Sequence, residues 1–168
     1  MFQRFSIIFF AFVLLGAAIY LTSGRWDVRA DGIKLVELVA TGTEASVASA
    51  FLNENPESLN LIRYGRGQGL AHAAVVNDEH PNVVRALRQA GVDLSIQDDD
   101  GRTPLHHAID ADKLPVARLL LESGVSLNAE NSAGLSPVEF CQLVLSDMPA
   151  HRTCNAVVAH FEQHGGGQ

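Results

Sequence analysis

Two cysteines near the C-terminus carry the most distinctive chemistry in this chain. Cys141 lies seven residues before Met148, and Cys154 lies six residues after it. In an antiparallel helix pair that turns at Met148, the two side chains face each other at nearly the same height, so a disulfide is sterically reasonable. On the chain-entropy model, a loop of this length contributes about 3 kcal/mol of stability. The alternative is two buried thiols that pack as small apolar groups, and the bridge requires an oxidising compartment.

Metal chemistry has weaker support in the sequence. His160 and His164 have the i, i+4 spacing that lets two imidazoles share a metal ion, but no third ligand is evident, and solvated histidines near a chain end are the alternative. The segment 98–101 (DDDG) begins like a calcium loop. It lacks the alternating oxygen ligands and the closing glutamate that such a loop needs. We therefore predict no metal site and no cofactor.

The sequence contains no recognisable catalytic motif. It has no Gly-x-Ser-x-Gly nucleophile turn, no phosphate-binding glycine loop and no paired carboxylates on a known scaffold. Gly65-x-Gly67-x-Gly69 has no strand before it and no acidic residue after it, so a loose hairpin turn is the better interpretation. The chain is predicted not to be an enzyme.

The charges of the 168 residues are unevenly placed. Positions 1–30 contain three basic and one acidic side chain, whereas positions 31–168 contain 9 basic and 18 acidic side chains. This excess of negative charge argues against nucleic acid as a partner, because phosphate binding requires clustered lysines and arginines. The length leaves room for about one domain, and we expect a monomer.

An uncharged stretch at positions 5–24 predicts a membrane segment. Its 20 residues would span about 30 Å as a helix, which matches the hydrocarbon core of a bilayer. We favour an uncleaved anchor, because Tyr20 and Trp26 fall where such a helix would meet the membrane interface. A cleaved signal peptide, with Thr22 and Gly24 near the cleavage site, and a buried helix of a soluble protein are the alternatives.

The orientation of this segment is argued from the flanking charges. More positive charges follow the segment (Arg25, Arg29 and Lys34) than precede it (Arg4 and the terminal amine). By the positive-inside rule, this difference favours a cytoplasmic domain. A short start with one arginine directly before an apolar core is typical of a signal anchor, which favours an extracytoplasmic domain. We predict a single-pass membrane protein whose domain is extracytoplasmic, in the periplasm. Secretion after signal cleavage and a cytoplasmic domain remain alternatives.

The segments that must position these residues recur along the chain. The segment 91–95 (GVDLS) precedes the segment 124–128 (GVSLN) by 33 residues, and Gly101 precedes Gly134 by the same interval. Thr103-Pro104 predicts the start of a helix, and Gly124 predicts the end of a second one. Two such short helices cannot bury their leucines and valines alone, so this period predicts a stack of helical repeats.

The recurring unit is similar to a known family. The segment 101–106 (GRTPLH), the leucines at 119–121 and the segment 124–128 resemble the ankyrin repeat along its full length. The resemblance implies an all-α ankyrin-repeat solenoid of about four helix-turn-helix repeats, preceded by one hydrophobic N-terminal helix. We expect the first and last repeats to match the pattern less well than the middle ones, because terminal repeats have one face in water. We also expect Asn55-Pro56 to end the second helix of the first repeat.

These expectations define the domain organisation. We predict an anchor or signal segment with a short linker at 1–30, an ankyrin repeat domain at 31–164 and a flexible tail at 165–168. The repeats are placed at about 31–63, 64–97, 98–130 and 131–164. The resemblance also implies that His72 and His106 make hydrogen bonds that brace the turns, and that Asp98 hydrogen-bonds its own turn.

The same resemblance implies a function, which is binding of a protein partner through hairpin tips and a concave face of first helices. The acidic side chains suggest a partner with a basic patch. The alternatives are an inhibitor, immunity or accessory protein that acts on an extracytoplasmic toxin or enzyme, and a metal-binding protein that uses His160 and His164. The candidate partner-binding residues are those not needed for stacking: Arg66, Gln68, Asn77, Asp99, Asp100, Arg102, Asp110, Ala111, Ser132, Ala133 and Leu135.

Overall fold

A computed structural model describes residues 30–52, 54–77 and 80–164, apart from the side chains of Ala30 and Asp31. Within these ranges the chain is helical, and its only β-type pairing is an isolated bridge between Tyr64 and Gln68. The all-α prediction is therefore confirmed. The helices are α1 (Ala30–Thr41), α2 (Glu44–Phe51), α3 (Pro56–Asn60), α4 (Leu70–Ala73), α5 (Val83–Gln89), α6 (Pro104–Asp110), α7 (Leu114–Glu122), α8 (Pro137–Asp147) and α9 (Arg152–His164).

Eight of these helices form two stacked rows. In the first row α1, α4, α6 and α8 contact one another in chain order, and in the second row α2, α5, α7 and α9 do the same. Each first-row helix also packs against the second-row helix that follows it. The short α3 lies in sequence between the first two pairs. A stack in which each pair contacts its neighbours is what the 33-residue period predicts.

Two first-row helices, α6 and α8, begin at side chains that cap them. Thr103 Oγ1 accepts a hydrogen bond from the His106 backbone N–H at the start of α6. At the start of α8, Ser136 Oγ accepts from the Glu139 N–H, and the Glu139 carboxylate accepts from the Ser136 N–H at 2.9 Å. Each capping residue is followed by a proline in the first helical turn. These caps satisfy backbone donors that have no partner inside a helix.

Asn55-Pro56 does not end a helix, which corrects the sequence prediction. The second helix of the first pair already ends at Phe51, and Asn55 instead caps the start of α3. Its Oδ1 accepts from the Glu57 N–H at 2.9 Å, and Pro56 occupies the first turn. The physical reason is that asparagine and proline suit the beginning of a helix as well as its end.

Two glycines end the second-row helices α5 and α7 in the same way. Gly91 and Gly124 both have φ +76°. The following N–H reaches back into the helix, from Val92 to the Leu87 carbonyl at 3.0 Å and from Val125 to the Leu120 carbonyl at 3.4 Å. A positive φ strains residues that have a Cβ. The glycines of the segments 91–95 and 124–128 are therefore conformational requirements.

The core runs continuously through the stack. Helices α5 and α7 bury apolar side chains at matching positions, namely Val83 with Val116 and Leu87 with Leu120. Each of these side chains is at most 2% exposed. Fully burying one such side chain contributes about 2 kcal/mol. Since neighbouring pairs supply much of this burial, a pair taken alone would leave it exposed to water.

The predicted membrane segment at 5–24 and the tail at 165–168 lie outside the described residues. In the part of the chain that is described, no helix has the length and apolar character that a membrane crossing requires.

Candidate protein-binding surface

Three hairpin turns, at 64–68, 98–102 and 131–135, form a continuous row that we call the hairpin row. The Asp99 N–H donates to the Arg66 carbonyl at 2.9 Å, which joins the first turn to the second. The Ser132 N–H donates to the Asp100 carbonyl at 2.8 Å, which joins the second to the third. These links fix the turns relative to one another, so the row presents its side chains from a rigid backbone.

Two of the turns are held by one side chain each. Asp98 Oδ1 accepts hydrogen bonds from the N–H groups of Asp100 and Arg102, both at 2.9 Å. Asn131 Oδ1 accepts from Ala133 at 2.9 Å and from Leu135 at 3.1 Å. The two residues are 33 positions apart, and both use a short acceptor side chain to close a turn. The role expected for Asp98 is confirmed.

His72 and His106 connect each helix start to the next turn of the hairpin row. The Gly69 N–H donates to Nδ1 of His72 at 3.1 Å, so the proton of the neutral ring lies on Nε2, which contacts the Arg102 carbonyl at 3.0 Å. His106 repeats this pattern, with Thr103 at Nδ1 and the Leu135 carbonyl 3.1 Å from Nε2. Both histidines brace the turns, as the resemblance implies.

Burial keeps these two imidazoles neutral. His72 is 3% exposed and His106 is fully buried. Burial lowers the pKa of His72 to about 4, although its hydrogen bond to the Arg102 carbonyl acts in the opposite direction. Burial also lowers the pKa of His106, against the hydrogen bond to Leu135. A neutral ring can accept at one nitrogen and donate at the other, and bracing requires both.

His107 joins this network, although no motif in the chain singles it out. Its Nε2 lies 2.8 Å from Asp98 Oδ2, and its ring meets the His72 ring edge-on with centroids 5.0 Å apart. The Asp98 side chain is only 2% exposed. Burial by itself raises the pKa of Asp98, but hydrogen bonds from His107, Arg102 and Asp100 outweigh it and lower that pKa. An ionised Asp98 is thus held in place by three donors.

His72, Asp98 and His107 also form the one group of three metal-ligand side chains found among the described residues, with ligand atoms within 4.8 Å of one another. A metal on Nε2 of His72 would force the ring proton onto Nδ1, which faces the Gly69 N–H donor. It would also break the bond to the Arg102 carbonyl. The arrangement therefore suits a hydrogen-bonded brace better than a metal centre.

The other histidine pair lies on α9. The rings of His160 and His164 stack with centroids 4.4 Å apart, and Nδ1 of His164 lies 3.0 Å from the His160 carbonyl. Within the described ranges no third ligand group joins them. Two ligands on one helix turn make a weak site, because protein metal sites use three or four.

Ion pairs neutralise part of the acidic cluster on the hairpin row. Arg66 contacts Asp100 at 2.8 Å, and Arg102 contacts Asp110 at the end of α6. Asp99 is exposed and has no ion pair with any residue that the structure describes. Its carboxylate lies against Gly67, where an added Cβ would come within 2.4 Å of Oδ1. Asp99 is therefore the carboxylate on this row that is most available to a partner.

Asn77 does not belong to the surface, which corrects its assignment as a partner-binding residue. It is 2% exposed. Its amide nitrogen donates to the carbonyls of Val39 at 2.9 Å and Gly42 at 2.8 Å, and its Oδ1 accepts from the His80 N–H. Asn77 follows the 3-10 turn Ala74–Val76 with a non-helical backbone, which directs the side chain back between the first two helix pairs.

The remaining candidates fall into two groups. Some expose their side chains at the turns of the hairpin row or at the end of α6, namely Arg66, Ser132, Ala133, Asp110 and Ala111. The others, Gln68, Asp100, Arg102 and Leu135, are half-buried. Sequence reasoning also missed Leu143, which is 56% exposed on α8 and lies opposite the buried side of that helix. An exposed large apolar residue in an otherwise polar helix face would have been a usable signal.

Comparison with known proteins is consistent with this geometry. Residues 35–131, more than half of the chain, match the family model of ankyrin repeats, which describes three copies. The chain is 36% identical over 88 residues to ADP-ribosylation factor GTPase-activating protein AGD2 of Arabidopsis thaliana, covering 52% of this chain and 11% of that protein. It is 26% identical over 133 residues to a putative ankyrin repeat protein of Rickettsia felis, covering 75% of this chain and 57% of that protein.

A third relative is NF-kappa-B inhibitor alpha of Gallus gallus, 28% identical over 102 residues, which are 58% of this chain and 30% of that protein. In all three cases the matched part is less than two thirds of the relative's own length.

Proposed function

The chain belongs to the ankyrin-repeat family, and from that premise we propose that it is a membrane-tethered module that binds a protein partner without catalysis. The observation that carries this proposal is the hairpin row, whose turns are joined by backbone hydrogen bonds. Arg66, Asp99 and Ser132 project from it as exposed residues. A surface fixed before binding loses little conformational freedom when a partner docks, which favours affinity.

The charges on this row support a partner with a basic side chain. Arg66 and Arg102 already neutralise Asp100 and Asp110, so the partner's lysine or arginine is expected opposite Asp99. Such a contact lies at an exposed position, where charge raises the association rate and the selectivity more than the affinity.

An apolar contact is expected beside this charge. Leu143 is 56% exposed and lies on α8. In the first row of helices, α8 packs next to α6. Covering an exposed apolar side chain with a partner removes apolar surface from water, which favours association. We therefore place the partner across the hairpin row and the exposed sides of α6 and α8.

The test is affinity capture with the full-length chain, followed by binding measurements with the captured protein. Asp99→Lys is expected to weaken binding at least about tenfold and to lower its association rate, because like charges would meet. Glu162→Lys on α9 is the matched control, since it makes the same charge change at an exposed residue far along the chain. Equal binding by both variants would show that the partner docks elsewhere.

We propose in addition that positions 5–24 anchor the domain on the extracytoplasmic side of a membrane. The uncharged run of 20 residues supports this proposal. A reporter enzyme fused after Gln168, active on only one side of the membrane, tests the orientation. The mass of the protein extracted from membranes tests the anchor, because signal cleavage would remove the first 20 or more residues.

A narrower version of the proposal is that binding inhibits an extracytoplasmic toxin or enzyme. The name of the Gallus gallus relative, an inhibitor, supports it by analogy. If the captured partner is an enzyme, its activity should fall as the chain is added up to one equivalent. Unchanged activity at saturation would leave recruitment or assistance as the role of the module.

A further inference from the structure

We propose that Cys141 and Cys154 form an intramolecular disulfide that ties α8 to α9 when the protein meets an oxidising thiol–disulfide couple. They are the only cysteines of the chain. Both are free thiols in the structure and both are 0% exposed. This property is independent of the partner and of the binding surface proposed above.

The fold packs the two helices that carry the cysteines directly against each other. α8 and α9 pack along each other, and both cysteines belong to the same core as Val138 and Val157. Since neither sulfur is exposed and the two helices pack directly on each other, both cysteines lie inside the last helix pair.

The start of α9 is held to the preceding repeat, which fixes the height of Cys154. Thr153 donates to Asp112 Oδ1 through its hydroxyl at 2.8 Å and through its backbone N–H at 3.2 Å. The Cys154 N–H donates to His151 Nδ1 at 3.2 Å. On the other side, the Ser136 cap fixes the start of α8. A disulfide has strict geometry, so such fixed supports favour one pairing.

The bridge forms by two exchange steps. The thiolate of one cysteine attacks the disulfide of an oxidant such as oxidised glutathione and releases one glutathione thiol. The thiolate of the other cysteine then attacks the protein sulfur of the mixed disulfide and releases the second, so two protons and two electrons pass to the oxidant. Burial raises the pKa of both thiols, which disfavours attack while the helices stay packed.

The burial of both sulfurs determines when this exchange takes place. An external disulfide cannot reach a thiol with no exposed surface, so α9 must separate from α8 or must not yet have packed against it. Oxidation is therefore expected during folding or through local opening of the last helix pair. Once formed, the bridge is protected from reductants by the same burial.

The test uses the full-length chain equilibrated with mixtures of oxidised and reduced glutathione. Free thiols are then blocked in denaturant, and trypsin cuts after Arg152, between the two cysteines. The expected product is a pair of peptides joined by a disulfide, in a chain whose mass is lower by two hydrogens. The bridge should raise the ratio of folded to unfolded protein by roughly two orders of magnitude.

Two variants separate the bridge from mere packing. Cys141→Ala and Cys154→Ala should each be insensitive to dithiothreitol in thermal unfolding, whereas the unmodified chain should melt at a lower temperature when reduced. Two blocked thiols after incubation with the oxidant would overturn the proposal. So would a covalent dimer as the main oxidised product, or a melting temperature of the unmodified chain that does not respond to dithiothreitol.

Discussion

At the scale of single residues, the buried histidines are the most informative feature. His72 and His106 each accept a hydrogen bond from their own repeat and contact a carbonyl in the next. Few side chains other than neutral imidazole have an acceptor and a donor on opposite sides of a small ring. These residues therefore carry out a structural task that depends on their protonation state.

The stability of the protein should consequently decrease as the solution becomes acidic. The pKa of His72 is about 4 when folded, which is below its unfolded value of 6.5, so the unfolded chain binds more protons between these values. The contribution of His72 to the free energy of unfolding should be constant above about pH 6.5 and should fall by up to about 3 kcal/mol toward pH 4. Asp98, with a lowered carboxyl pKa, adds its own loss only at still lower pH.

Urea unfolding across this pH range measures the effect. His72→Gln keeps a donor for the Arg102 carbonyl but removes the titration, so its stability should depend less steeply on pH between about 6.5 and 4. An unchanged slope in this variant would mean that other groups dominate the acid response, with His106 the first to examine because burial also lowers its pKa.

A second prediction concerns His106. His106→Ala removes a fully buried ring and leaves the Leu135 carbonyl and the Thr103 N–H without their partner. We expect a loss of about 3 kcal/mol in the free energy of unfolding, from the cavity and the unpaired groups. His164→Ala, at an exposed position on α9, should change it by less than about 0.5 kcal/mol. Comparable losses in the two variants would argue against the bracing role.

At the scale of helices, α5 and α7 both end at a glycine with positive φ, but the two glycines have different neighbours. Gly91 and Gly124 have the same φ of +76°. An added Cβ at Gly91 would lie 3.0 Å from Pro56 Cβ in α3, whereas nothing lies within 4 Å of one at Gly124. The extra helix α3 thus makes the first glycine a packing requirement as well as a conformational one.

Alanine at these two positions should therefore have unequal effects. Gly124→Ala is expected to cost about 1 kcal/mol, from the left-handed backbone alone. Gly91→Ala should cost at least about 1 kcal/mol more, because Pro56 must also move. Chemical denaturation of the two variants under identical conditions makes the comparison, and equal losses would show that α3 yields freely.

At the scale of the whole molecule, the stack distributes stability unevenly. The pair α6 and α7 has a helix pair on each side, whereas α1 and α2 have a neighbour on only one side within the described chain. In a linear stack, stability depends on the interfaces between neighbours. The ends should therefore open more readily than the middle.

Hydrogen–deuterium exchange under native conditions tests this gradient. Backbone amides of α6 and α7 should exchange most slowly, and those of α1 and α2 at least about tenfold faster, because local opening of an end breaks fewer contacts. Uniform protection along the stack would instead indicate that all helix pairs unfold together.

The repeat could be predicted from local patterns in the chain. The 33-residue period, the helix start at Thr103-Pro104 and the glycines at 91 and 124 are local rules, because caps and left-handed turns depend on a few neighbouring residues. The turn of Asp98 could be predicted for the same reason. The role of a residue within its own repeat could thus be predicted from the sequence.

The contacts between repeats could be assigned only from the folded chain. It buried Asn77 against Val39 and Gly42, paired Arg66 with Asp100 across 34 positions, and brought His107 to Asp98 beside His72. Such contacts depend on how far one helix pair is rotated and shifted on the next. No local pattern encodes that rotation, because it results from the packing of all side chains in the interface. The period therefore predicts the fold, and only the packing shows which polar side chains remain for a partner.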